Sequence, residues 1–265
     1  MDLQLTGKRA VIAGGSKGIG LAAAHALAAE GADVALIARN QETLDEAKAR
    51  VLEHGGRVLA ISADTTDDAA VRAMADRVAA EWGGVDILVN TAAQPATPGA
   101  RRPLAELRDE DLHTEIDTKV LGYLRTARAI APYMIETGWG RIINVAGLAV
   151  RQAGSTFGTI RNAGVSAITK NLADELGPRG INVTVVHPGT TVTERIPALL
   201  QAQAQSRGIS VEEVEAGLAA ATTIGRMVTA EEVANVIAFL ASPLSVAING
   251  DNIAVGGGAP GPIYY

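Results

Sequence analysis

The chain has 265 residues, a net charge of −6 and no cysteine; 48% of it is hydrophobic and only 3% aromatic. The charge is spread without basic runs, which argues against nucleic acid or an anionic membrane as partner, and the missing thiols exclude disulfides and thiolate metal sites. An Ala-, Val-, Leu- and Ile-rich interior of this size suits one α/β domain over residues 1–265, with helices packed closely on a buried sheet.

The N-terminal "MDLQLTGKRAVIAGG" lacks the charged lead, apolar core and cleavage site of a signal peptide. No apolar run approaches a membrane span, so a cytoplasmic protein is expected. Short β-branched runs predict strands at 9–13, 33–38, 57–63, 86–90, 141–145, 182–187 and 252–255, separated by Ala-rich segments of helical period. Seven such runs imply a doubly wound, Rossmann-type parallel sheet of about seven strands with helices on both faces. Ligands in such sheets sit beyond the carboxyl ends of the strands, which directs attention to the loops there.

The first of those loops is "AGGSKGIG", Ala13 to Gly20, which opens the helical segment "LAAAHALAAEG". Gly14 allows a tight turn, Gly18 lets backbone amides approach a pyrophosphate, and Gly20 permits close packing of helix on strand. The second strand ends in Ala38 and Arg39, where a carboxylate would be expected for a ribose 2′-hydroxyl. With Lys17 close by, this pair of cations favours a 2′-phosphate, so NADP(H) is expected over NAD(H).

Further along, Ile116, Val120, Tyr123 and Ala127 mark a buried helical stripe, with Lys119 on its flank. Between Thr193 and Gly225 a Gln-rich, weakly periodic excursion reads either as a substrate-side helical lid or as a surface helical pair. His25, His54 and His113 lack metal-ligand spacing and no metal site is expected. His187, at the end of the sixth strand, reads as a structurally satisfied side chain, with a cofactor-facing role as the alternative.

Taken together, "AGGSKGIG", Asp64 in "SADTTD", "NTAA" from Asn90 to Ala93, "HPGTTVT" from His187 to Thr193 and the closing "INGDNIAVGGG" resemble the short-chain dehydrogenase/reductase family over nearly the whole chain. The resemblance implies a cofactor-binding set of Gly14, Ser16, Lys17, Gly18, Ile19, Gly20, Arg39, Asp64, Thr65, Asn90, Ala92, Pro188, Gly189 and Thr191. It also implies a homodimer or homotetramer.

The family's catalytic side chains do not carry over. The register of "SAITKNLADELGPRGINV" puts its tyrosine position at Gly158 and its lysine position at Asn162, and the helix asparagine appears as Lys119. The loop "INVAG" is two residues short, so the serine position falls on Asn144 or Gly147. Lys119, Asn144 and Asn162 are the polar residues left as catalytic candidates. Lys119 either restores the missing positive charge or snorkels to water. Ser155, Thr156 and Thr159 are weaker proton donors, and Tyr264 or Tyr265 of the tail could reach a neighbouring subunit's cleft.

The leading functional expectation is an NADP(H)-dependent oxidoreductase of an unknown carbonyl or alcohol with non-standard catalytic residues. A non-redox lyase or isomerase in the same cleft, or a non-catalytic NADP(H)-binding subunit or sensor, are the alternatives.

Overall fold

The computed structural model describes residues 1–93, 103–151 and 153–261. Seven parallel strands form the main sheet: β1 (Arg9–Ala13), β2 (Asp33–Ala38), β3 (Val58–Ser62), β4 (Ile87–Asn90), β5 (Gly140–Val145), β6 (Ile181–Pro188) and, last in sequence, β9 (Asn252–Val255). Their order is β3-β2-β1-β4-β5-β6-β9, so the chain reverses its winding between β1 and β4. That switch opens the crevice in which a doubly wound sheet binds ligands.

Alternation along each strand feeds two separate cores, because successive side chains point to opposite faces. Ile12, Leu36, Val89 and Ile143 face one core together with Leu27 and Ala23 of α1 (Gly18–Ala29), Leu44 of α2 (Gln41–Leu52) and Val233 and Ile237 of α9 (Ala230–Ala241). Val11, Ile37, Leu88 and Ile142 face the other. There they meet Met74 and Val78 of α3 (Asp68–Trp82), Ile130 and Met134 of α5 (Gly122–Thr137) and Ala173 of α6 (Thr156–Leu176). Each fully buried Leu, Ile or Val contributes about 1.5–3 kcal/mol.

Local signals set the helix starts. Asn40 and Asp67 cap α2 and α3 through their side chains. Thr229 and Glu232 form a capping box at the start of α9.

The 193–225 excursion contains two helices, α7 (Ile196–Arg207) and α8 (Val211–Ala220), held by their own small core of Ile196, Leu200, Val214 and Met227. It is anchored by a second sheet absent from the sequence reading, in which β7 (Thr191–Val192) pairs with β8 (Val228–Thr229). Two-residue strands carry too little periodicity to be seen in sequence. No helix among the described residues is long and apolar enough to cross a membrane.

Candidate nucleotide cleft and adjoining polar site

After β1 the chain turns sharply, and the amides of Gly14 and Gly15 donate to the carbonyl of Ile37 at 2.8 and 3.2 Å, tying the loop to β2. A Cβ on Gly14, whose φ is +87°, would lie 2.6 Å from Thr91 Oγ1 and 2.7 Å from the Ala92 amide. On Gly20 it would lie 2.2 Å from the Gly14 carbonyl oxygen. Both contacts exclude any side chain, so the glycines are required by the approach of the loop to β4 and α1. Lys17 precedes α1 in an extended conformation without a side-chain cap, and the first turn holds no acid. The leading amides and the dipole of α1 favour an anion, and the Glu194 carboxylate lies 3.9 Å from where a Cβ on Gly18 would be.

This loop forms one wall of a cleft of about 500 Å³ that also contains Arg39, Asn40, Asp64, Thr65, Ala92, Thr118, Thr193, Glu194 and Arg195. Gly14, Ser16, Lys17, Gly18, Ile19 and Gly20 all line it, so ten of the fourteen nucleotide candidates meet there. Its cations are Lys17, Arg39 and Arg195, and its carboxylates are Asp64 and Glu194. Asp64 Oδ1 accepts from the amide and hydroxyl of Thr66, both at 2.9 Å, which holds the turn after β3.

The other four nucleotide candidates do not line the cleft. Asn90 is fully buried: it donates to Asn144 Oδ1 at 2.9 Å and accepts from Thr126 Oγ1 at 2.7 Å. Pro188 ends β6 in the core, Gly189 packs where a Cβ would be 3.0 Å from Gly256 Cα, and Thr191 belongs to β7. This part of the chain reaches the cleft at Thr193–Arg195, two residues beyond Thr191, the last of the candidates. Asn40, Thr118 and these three residues were missed; Asn40 had a signal, being the α2 cap directly after Arg39.

Asn144 also departs from expectation. It lies inside β5, 1% exposed, and its amide donates to Thr169 Oγ1 at 3.0 Å while its oxygen serves Asn90. Thr126, Asn90, Asn144 and Thr169 thus form a buried polar chain linking α5, β4, β5 and α6. Its satisfied groups hold the sheet, and Asn144 is not among the residues that line the cleft. Of the two alternatives for the shortened loop, Gly147 is the one beside Asn162: a Cβ there would be 3.2 Å from Asn162 Nδ2.

Lys119 sits in a π-helical stretch, Ile116–Leu121, between α4 (Asp109–Glu115) and α5. Its side chain is 4% exposed, so of the two alternatives it does not snorkel to water. Its ammonium donates to the carbonyl of Ala146 at 2.9 Å and to Asn162 Oδ1 at 3.2 Å. Burial is the main force holding Lys119 down at about pKa 7; the Arg161 charge lowers it further and Glu115 works against both. Thr118 and Val145, chain neighbours of Lys119 and Ala146, line the cleft, so the backbone of Lys119 passes beside it, while the Lys119 side chain is not among the groups that line it.

The remaining polar groups are engaged elsewhere. Ser155 caps α6 by accepting from the Gly158 amide at 3.1 Å, and Thr159 donates to the Ala149 carbonyl at 3.1 Å. Tyr123 donates to the Val145 carbonyl at 2.9 Å, and burial raises its pKa far above the usual phenol range. His187 is fully buried, with its ring nitrogens 3.1 Å from the Gly147 carbonyl and 2.8 Å from Asn252 Oδ1, which is the structural role expected of it. His25 and His54 contact each other at 2.9 Å, and no metal-binding cluster occurs among the described residues. Tyr264 and Tyr265 lie outside the described residues.

A family model described as enoyl-(acyl carrier protein) reductase matches residues 13–260. The chain belongs to the short-chain dehydrogenase/reductase family. It is 32% identical to the short-chain reductase protein NovJ of Streptomyces niveus, over 95% of this chain and 93% of that one. L-Sorbose reductase from Gluconobacter frateurii, solved with NADPH and L-sorbose, superposes with a TM-score of 0.91 at 31% identity and covers 99% of this chain and 100% of its own. An NAD⁺-bound xylitol dehydrogenase superposes with a TM-score of 0.87 at 27% identity, covering 96% and 100%. These short-chain dehydrogenase/reductase structures share the seven-stranded doubly wound fold with this chain.

Proposed function

We propose that this protein is an NADP(H)-dependent oxidoreductase of a carbonyl or alcohol substrate in which Lys119 handles the proton. The observation that carries the reading is the cleft itself: a glycine loop that admits no Cβ at Gly14 or Gly20, a helix N-terminus with no side-chain cap behind it, and Lys17 before that helix with Arg39 directly after β2. Gly14 and Gly20 would let the pyrophosphate approach the backbone, and Arg39 with Lys17 would take the 2′-phosphate. No acidic residue stands at positions 38–40 to favour a bare ribose hydroxyl. The NADPH-bound sorbose reductase supports this preference, whereas the NAD⁺-bound xylitol dehydrogenase shows that the fold alone does not dictate it.

NADPH, when bound, supplies a hydride to the substrate carbon. The protein's own task is to orient the substrate and deliver one proton to its oxygen. Lys119 has three N–H donors, of which two are held by Ala146 and Asn162. The third is free to donate to a substrate oxygen, which becomes the alcohol hydroxyl while Lys119 is left neutral and regains its proton from water. A group titrating near 7 can serve both directions of that transfer at neutral pH. Gly147, beside Asn162, adds no side chain there.

The test is a substrate screen over ketones, sugars and acyl thioesters that follows nicotinamide absorbance, run with the wild type and with Lys119→Met. NADPH-linked turnover that falls about 100-fold or more in the variant supports the reading. Turnover unchanged in the variant removes Lys119 from the chemistry. Product formed without any absorbance change points instead to a lyase or isomerase, and cofactor binding without turnover to a non-catalytic binder.

A further inference from the structure

The proposed role for Lys119 rests on an amine whose charge is governed by burial and adjusted by two charged neighbours, which form a pair the sequence did not reveal. Glu115, at the end of α4, is ion-paired to Arg161 of α6. Both side chains are largely buried, and the Nε of Arg161 is buried with no partner among the described residues. Glu115 is four residues before Lys119, and Arg161 directly precedes Asn162, the residue that accepts from Lys119. The pair thus joins the two elements that carry Lys119 and its acceptor.

We propose that the Glu115–Arg161 ion pair is a positioning element for Lys119: it pins the end of α4, where the π-helical stretch begins, to α6 and tunes the charge on the buried amine. The physical reason is that charges shielded from water act on one another with little screening. Arg161 disfavours a second positive charge close by, and Glu115 offsets that repulsion. Other charged or titratable groups around the amine are committed elsewhere. Asp117 pairs with Arg125 at 2.6 Å, Tyr123 donates to Val145, and His187 contacts the far side of the loop through the Gly147 carbonyl. This inference deepens the proposed function, because a proton donor must hold its proton at working pH.

The experiment is a direct titration of Lys119 by carbon NMR in protein labelled at the lysine ε-carbon, with the resonance assigned by Lys119→Met. The chain has five lysines, so the spectrum is simple. Glu115→Gln leaves the Arg161 charge unopposed and is expected to lower the Lys119 midpoint by about half a unit or more. Arg161→Met removes the repulsion and is expected to raise it. The double variant is expected to fall between the two, and Arg161→Lys to stay near the wild type. A pair that only clamped the helices would admit water when either partner was lost, and both single variants would then move upward. That outcome, or unmoved midpoints, overturns the proposal. Should Arg161→Met fail to fold, Glu115→Gln decides the sign alone. The titration needs no substrate: midpoints that move as expected while Lys119→Met keeps full turnover would refute the catalytic role and leave this inference standing.

Discussion

Replacing Lys119 with Met keeps a stem of similar reach and removes the amine, which isolates what burying that amine costs. The ordinary lysine value is 10.5 and burial brings Lys119 to about 7. Between those values the unfolded chain holds a proton that the folded protein has released, so the unfolding free energy rises with pH through this window. Below about pH 7 both states are charged, and the fold bears a penalty of about 4–5 kcal/mol at ~1.36 kcal/mol per unit. Between about pH 7 and pH 9 roughly 2 kcal/mol of that penalty is relieved. The lost bonds to Ala146 and Asn162 change the stability of the variant by an amount independent of pH. Urea unfolding of both proteins at about pH 7 and pH 9 therefore reads the amine alone: the stability of the Met variant relative to wild type should drop by about 2 kcal/mol on going to the higher pH. A difference that stays constant within about 0.5 kcal/mol would mean that Lys119 titrates normally, and would refute the reasoning.

Three further outcomes follow from the geometry. Arg39→Asp should weaken NADPH binding tenfold or more, on the order of 1.5–3 kcal/mol for a lost charge-assisted contact, while NADH binding holds or improves; fluorescence titration checks it. Gly20→Ala would place a methyl 2.2 Å from the Gly14 carbonyl oxygen, so the loop must shift and cofactor binding should be lost while circular dichroism shows a folded protein. Asn144→Ala should destabilise the protein by about 1–3 kcal/mol in urea, because the Asn90 amide loses its buried acceptor. Lost turnover at unchanged stability would instead return Asn144 to the chemistry.

The strands were legible in sequence because β-branched runs such as "DVALIA" and "RIINV" are buried on both faces and their ends match the observed β2 and β5 within a residue. The glycine loop was legible because its residue types are dictated by backbone approach rather than by a partner's identity. Asn90 and Asn144 became candidates through the family resemblance, and only the pairing of β4 with β5 shows that the two satisfy each other. Lys119 could be placed on the flank of its helix, but its burial and its bond to the Ala146 carbonyl, 27 residues away in the chain, carry no local pattern. The Glu115–Arg161 pair spans a wider separation and carries none either.

The measurement that tests the account most directly is a calorimetric titration of NADPH and NADH into the purified protein. The account expects NADPH to bind at least about tenfold more tightly than NADH, the difference expected from charge-assisted contacts of Lys17 and Arg39 to a 2′-phosphate. Equal affinities would contradict the cofactor assignment, and no binding of either at millimolar concentration would contradict the proposed function as a whole.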